Sequence, residues 1–409
     1  MTIRGLSISA LLAALALAGC NDESLQPPPA PSAGALFQRY VSIGNSLTAG
    51  LQSAGINDST QLQAYPVILA HQMGTTFYPP LLSRPGCPPP FTNVFTNTRL
   101  GTGSTASTCF YRAPGVLPYV SNVAVPGAAV GDVTSNTGAG TNANPLTQLV
   151  LGGRTQLQAA MAVHPTFLSV WIGNNDVLGS FTALPNAGDS TLITPVATFQ
   201  ASYQKIVDSI KASGAKAVLI GVANVTEIPY ASTGSIYFEI ANNLVAGVAF
   251  PPTFHVDPLC APAFINPAGK GDSTLVPFPF GVQLIAAAAA GATDTLHCTE
   301  TSTVQPAELR KLVSTMLAYN AFISAAASTN SWAYVDPNPV LDSLRQDPQQ
   351  VAPFPNVGSP ASPTPCSGSP FGLAFTCDGV HPSASTHILI ARHLAQAINA
   401  KFSTNIPLP

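Results

Sequence analysis

A three-layer α/β/α domain built on a five-stranded, mainly parallel sheet is the fold class this sequence predicts, and three observations predict it. Short apolar runs of strand length alternate with longer stretches of helical period, as βαβ units require. The runs end in glycine, proline or asparagine, and the long Pro-, Ser- and Gly-rich excursions grow only beyond those ends. No internal repeat is present, so the 409 residues read as one large domain with elaborated loops.

The first strand is Tyr40 to Ile43, an apolar run that gives way to Gly44-Asn45-Ser46-Leu47. Gly44 and Asn45 give the backbone freedom to leave the strand sharply, so the Ser46 hydroxyl would emerge at its carboxyl end. In an open parallel sheet that is where ligands bind. A helix follows over Gln63 to Met73, with Pro66 in its first turn. Ser121 to Val125 is a second short strand ending at Pro126-Gly127-Ala128, and a helix over Thr155 to Val163 closes at His164-Pro165. The third strand, Thr166 to Ile172, is almost continuously apolar, as a strand covered on both faces should be. It ends in Gly173-Asn174-Asn175-Asp176.

An amphipathic helix over Val196 to Ala212 leads through Ser213-Gly214 to a fourth strand, Ala217 to Val222. With a cap at Ser302 or Thr303, Pro306 to Ala327 forms the longest helix; Trp332 to Asp336 is the fifth strand and Ala384 to Phe402 the last helix. Three insertions interrupt this grammar at about 78–118, 224–301 and 337–377. In the second, the apolar decamer Gln283 to Ala292 is far short of a membrane span and reads as a small packed helix. Pro267-Ala268-Gly269-Lys270-Gly271 is not a phosphate loop, because Phe264 stands where the leading glycine belongs and neither Ser nor Thr follows Lys270.

Composition narrows the function classes. Charged residues are 8% of the chain, with Lys+Arg 15 against Asp+Glu 18, which leaves no basic field for nucleic acid. Hydrophobic residues at 46% can bury a core despite 39 prolines. At the N-terminus Arg4 precedes the apolar run Leu6 to Ala18, with the shape of a signal-peptide core. It ends in Leu17-Ala18-Gly19-Cys20, which resembles the bacterial lipobox. That resemblance implies a signal peptide over 1–19, a lipidated Cys20, a Pro-rich tether over 20–36, and a folded domain over 37–404. Asn21 is not the aspartate of an inner-membrane retention signal, so the outer membrane or cell surface is the expected address. Six further cysteines, Cys87, Cys109, Cys260, Cys298, Cys366 and Cys377, suggest three disulfides in an exported protein. Fifteen connectivities are possible. Sequential pairing is expected, because each neighbouring pair shares one loop-rich stretch. Without Cys-x-x-Cys, and with seven scattered histidines, no metal site is expected.

Four short segments now stand at strand exits or before the last helix: Gly44-Asn45-Ser46-Leu47, Val125-Pro126-Gly127-Ala128, Gly173-Asn174-Asn175-Asp176 and Asp378-Gly379-Val380-His381. Together, and in this order, they resemble the SGNH (GDSL-type) serine hydrolases. The likeness implies a flavodoxin-like SGNH-hydrolase fold and an esterase or lipase activity without cofactor. It makes Ser46 the nucleophile, His381 its base and Asp378 the acid that orients the imidazole. Chemistry agrees with those residue types, because a serine hydroxyl needs a base near neutrality and an imidazolium needs an anion behind it. By the same resemblance the oxyanion donors are the N–H of Ser46, the N–H of Gly127 and the side-chain amide of Asn175.

Asn175 is taken over Asn174 from the family's spacing, and Asp176 reads as a structural cap. Asn45 departs from the family's aspartate, but it can keep that residue's local hydrogen bonds. His71, His164, His255, His297, His387 and His393 carry no motif, and the last two read as surface or packing residues on the final helix. The implied substrate is a small-molecule, lipid or carbohydrate ester. A carbohydrate O-acetylesterase and a non-catalytic binding lipoprotein on the same scaffold are the alternatives.

Overall fold

The computed structural model describes residues 34–101, 117–135, 145–359 and 361–409. The signal peptide, Cys20, the tether up to residue 33 and Cys109 lie outside the described residues. The central sheet has four regular strands: β1 (Tyr40–Gly44), β2 (Phe167–Trp171), β3 (Lys216–Ile220) and β4 (Ala333–Val335). They lie side by side in this order, and all are parallel. The expected strand over Ser121 to Val125 forms the edge beside β1, joined by a bridge between Ser42 and Asn122. There Ser42 N–H donates to Ser121 at 2.8 Å, and Val123 and Val125 N–H donate to Ser42 and Gly44 at 3.0 and 3.2 Å. Pro126 ends this segment, since it has no N–H to continue a ladder. The spatial order is therefore second, first, third, fourth, fifth, the flavodoxin-like arrangement whose switch point lies beside β1.

Side chains alternate between the two faces, as the period of two demands. Tyr40, Phe167, Trp171, Val218, Ile220 and Ala333 face a layer made by the helices Tyr65–Met73 and Ala384–Phe402. Val41, Ile43, Leu168, Val170, Ala217 and Leu219 face the helices Gln156–Ala162, Val196–Ser213 and Pro306–Thr329. The strands are buried over nearly their full length. The longest helix starts at Pro306 as expected, but its cap is Gln305, which closes a capping box with Glu308; Thr303 instead packs fully buried in the preceding turn.

The insertion at 224–301 is a satellite with its own core. An antiparallel ribbon joins Ala231–Thr233 to Leu275–Pro277, and a parallel one joins Phe254–Val256 to Asp294–Leu296. Tyr237, Phe254, Val276 and Leu296 pack there around the Cys260–Cys298 disulfide. Residues 283–289 of the apolar decamer belong to the helix Phe278–Ala289, and no helix among the described residues is long and apolar enough to cross a membrane. Cys366 pairs with Cys377, and Cys87 is also disulfide-bonded. The insertion at 337–377 holds an amphipathic helix, Asn338–Arg345, that its Pro- and Ser-rich composition does not announce.

Candidate active site

β1 ends at Gly44, and the chain turns at once into the one-turn helix Ser46–Ala49. A side chain at Gly44 is impossible here: its Cβ would lie 2.1 Å from Thr48 Oγ1 and 2.7 Å from the Trp171 carbonyl oxygen. Asn45 caps the short helix by accepting the Leu47 N–H at 3.1 Å, a local bond of the kind expected of an aspartate at that position. Ser46 thus sits on the first residue of a helix at the sheet's carboxyl edge.

The segment bearing Asp378 and His381 is a closed loop just before the last helix, with Thr376 N–H donating to the His381 carbonyl at 2.8 Å. It brings His381 Nε2 to 2.9 Å from Ser46 Oγ, across 335 residues of sequence. On the other side of the ring, Nδ1 lies 2.8 Å from Asp378 Oδ2. Both side chains are largely buried, at 12% and 8% exposure for His381 and Asp378. Burial alone would raise the Asp378 carboxyl, but the His381 ring and the N–H groups of His381 and Val380 outweigh it and hold the value at about 2. Those two N–H groups reach Oδ1 at 2.9 Å each. The acid is therefore an anion at neutral pH.

Further support for Asp378 was not legible in the sequence. The Ala54 N–H donates to Oδ2, and Thr376 Oγ1 reaches Oδ1 at 3.1 Å while accepting the Ser53 N–H at 2.9 Å. Ser53 and Ala54 are the central residues of a tight turn in which Gln52 and Gly55 exchange both backbone hydrogen bonds. Arg99 braces the turn by donating to the Ala54 carbonyl at 2.9 Å and to the Pro89 carbonyl at 2.6 Å. No local pattern announces such partners, since Ala54 is 324 residues from Asp378.

Two loops complete the rim. Gly127 has φ +82°, a left-handed conformation that L side chains resist. Asn175, at the exit of β2, donates through Nδ2 to the Ala128 carbonyl at 2.9 Å, leaving its second amide hydrogen for another acceptor. Asp176 accepts the Val130 N–H at 2.8 Å, at the start of a 3-10 turn, so it is the structural cap expected of it. Burial pushes its carboxyl up to about 7, partly offset by the Val130 N–H and Thr194. Asn175 and Asp176 together tie the Gly127 loop to β2. Asn174 shares the cavity wall with Asn175 and is nearly buried.

Of the unassigned histidines, His387 is fully buried and accepts the Tyr65 N–H at 3.3 Å, a packing role. His393 is half-buried and lines the same cavity as Ser46 and His381. That cavity, open at its mouth, is walled chiefly by apolar side chains. The helix Asn338–Arg345 supplies three of them, Val340, Leu341 and Leu344. Their spacing of one and four residues is the signal by which the helix could have been found.

A flavodoxin-like sheet with a hydrogen-bonded serine, histidine and aspartate at its carboxyl edge is the architecture of an ester-bond hydrolase. A family model described as GDSL-like Lipase/Acylhydrolase matches residues 40–394, and the chain belongs to that family. Among solved structures, Axe2, an acetylxylan esterase from Geobacillus stearothermophilus, is similar at 12% identity, covering 90% of this chain and 96% of that one, with a TM-score of 0.38. TesA is similar at 12% identity, covering 88% and 98%, with a TM-score of 0.33. No curated protein matches the sequence.

Proposed function

We propose that this chain is an exported, lipid-anchored esterase that works through an acyl-enzyme on Ser46. The observation that carries the reading is the unbroken series from Ser46 Oγ to His381 Nε2 at 2.9 Å and from His381 Nδ1 to Asp378 Oδ2 at 2.8 Å. In this reading His381 takes the Ser46 proton as Oγ bonds to the ester carbonyl carbon. The imidazolium then returns that proton to the leaving alkoxide as the ester C–O bond breaks. Water, deprotonated by the same ring, attacks the acyl-enzyme and restores Ser46. Asp378 stays ionised and holds the ring's orientation throughout.

The oxyanion formed in both steps would be met by the N–H groups of Ser46 and Gly127 and by the free amide hydrogen of Asn175. Each such donor is worth about 3 kcal/mol where charge develops. Support for anchoring is the run Leu17-Ala18-Gly19-Cys20 followed by a Pro-rich stretch, which suits a lipid-bearing cysteine on a tether. Ser46→Ala should abolish turnover of p-nitrophenyl butyrate with an unchanged circular dichroism spectrum. Retained turnover would overturn the assignment of the nucleophile. For the anchor, Cys20→Ser should leave the protein unprocessed or release it from the membrane fraction; unaltered fractionation would remove that part of the reading.

A further inference from the structure

The cavity at Ser46 has a shape that follows from strand register. Gly44 of β1 pairs with Trp171 of β2, Val170 with Leu219 of β3, and Val335 of β4 with Ile220 of β3. Trp171, Ile220 and Val335 therefore stand in one row along the carboxyl edge of the sheet, each the last residue of its strand, and all three line the cavity. Ser46 lies two residues beyond the β1 end of that row. From β1 to β4 the row crosses three inter-strand spacings of about 4.8 Å, roughly 14 Å in all.

Apolar residues close this row from both sides. Leu341 and Leu344 of the helix Asn338–Arg345 come from one wall, and Ile390 and Leu394 of the last helix from the other. Polar side chains gather at the Ser46 end, where Asn45, Asn174, Asn175 and His381 stand. Thr386, whose hydroxyl donates to the Ala374 carbonyl at 2.8 Å, and the half-buried His393 also line the cavity. A polar end at the nucleophile and an apolar row leading away describe a slot for a chain, not for a sugar ring, whose hydroxyls would find few partners along it. An acetyl group would leave the row unfilled.

We infer that the row Trp171–Ile220–Val335 is the acyl subsite, and that the substrates are esters of unbranched, medium-length fatty acids. This rests on the proposed acyl-enzyme at Ser46, which fixes the end from which the chain is measured. The carbonyl sits at Ser46, the chain runs across β2 and β3, and its end meets Val335. Roughly ten carbons fill the distance. Each methylene taken out of water adds up to about fourfold in kcat/KM while the slot lasts, and nothing beyond it.

The test is a series of p-nitrophenyl esters from acetate to palmitate on the full-length protein in detergent, run beside alkyl fluorophosphonates of the same chain lengths. The expected kcat/KM climbs by about 10²-fold or more from acetate to decanoate and then levels or falls. Labelling rates of Ser46 should follow the same course. Val335→Phe, at the far end of the row, should lower the decanoate-to-butyrate ratio by at least about 10-fold and move the optimum several carbons shorter. An optimum at acetate, with fluorophosphonate labelling of Ser46 intact, would overturn the acyl subsite and leave the hydrolase reading standing. Loss of both hydrolysis and labelling across the series would instead overturn the catalytic reading itself. The labelling series in the unmodified protein decides the matter even if Val335→Phe does not fold.

Discussion

The backbone N–H of Ala54 donates to Oδ2 of Asp378, the same oxygen that faces the His381 ring. Ala54 can do so only because it and Ser53 both hold left-handed backbone, at φ 48° and 51°. Neither residue is glycine, and the conformation costs roughly 1–2 kcal/mol for each. Arg99, stacked 3.6 Å over the Phe91 ring, secures the turn through the Ala54 carbonyl. Arg99→Met should therefore lower kcat by roughly 10-fold through a displaced carboxylate, with KM within about twofold. Steady-state kinetics on one short ester checks this, and a change confined to KM would contradict it. Ala54→Gly keeps the N–H and relieves the strain, so it should raise the melting temperature with activity retained.

Asn175→Ala should lower kcat by about 10²-fold with little change in KM, because the donor strengthens its bond only as charge develops on the oxyanion. The variant also leaves the carbonyl of the buried Ala128 without this donor. A rise in KM alone would make Asn175 a substrate-binding residue.

Stability should respond to pH in two opposite senses. Asp378, held at about 2, lies below the unfolded carboxyl value of about 3.9, so its contribution is present above about pH 4 and is lost as pH falls through about 2. His387, lowered to about 3 by burial and by His381, acts in the same sense: the unfolded chain takes up its proton near pH 6.5, and the folded one does not. Asp176 runs the other way. Its value of about 7 means the folded protein keeps a proton that the unfolded chain releases near pH 4, so stability falls as pH rises across that interval. Glu227, raised to about 7 by burial and by Asp342, adds to the same trend. Asp176→Asn can still accept the Val130 N–H, and it should reduce the fall in melting temperature between about pH 5 and 8 without removing it. Thermal melts across that range give the slope, and an unchanged slope would contradict the buried, protonated Asp176.

The Cys366–Cys377 bridge ends one residue before Asp378. Closing so short a loop contributes roughly 2–3 kcal/mol through the unfolded chain, while the displacement of Asp378 by about 1 Å can cost about 10²-fold in rate. Replacing both cysteines by serine should thus depress kcat far more than the melting temperature. A double variant with normal kcat would show that Thr376 and Ala54 hold the acid unaided.

What could be read from the sequence was local. β1, β2, β3 and the last helix announce themselves by unbroken apolar runs or by helical period. The four short segments at strand exits and before the last helix mark Ser46, Asp378 and His381 by residue type and order. The Ser121–Val125 segment was legible as a strand, although as an edge it pairs chiefly through three bonds to β1. What escaped was long-range. The turn at Ser53-Ala54 and the brace at Arg99 lie far from Asp378 in sequence, and their residue types are ordinary. The helix Asn338–Arg345 was hidden inside a Pro- and Ser-rich stretch. The row Trp171–Ile220–Val335 exists only through register between strands, which alternation within a strand cannot give.

The central claim, that Ser46 is the nucleophile aimed by His381, is tested most directly by mapping where a fluorophosphonate attaches. Tryptic mass spectrometry of the labelled protein should place the adduct on Ser46 alone, and His381→Ala should slow its formation by at least about 10²-fold. An adduct on another serine, or labelling of Ser46 indifferent to His381, would contradict the account.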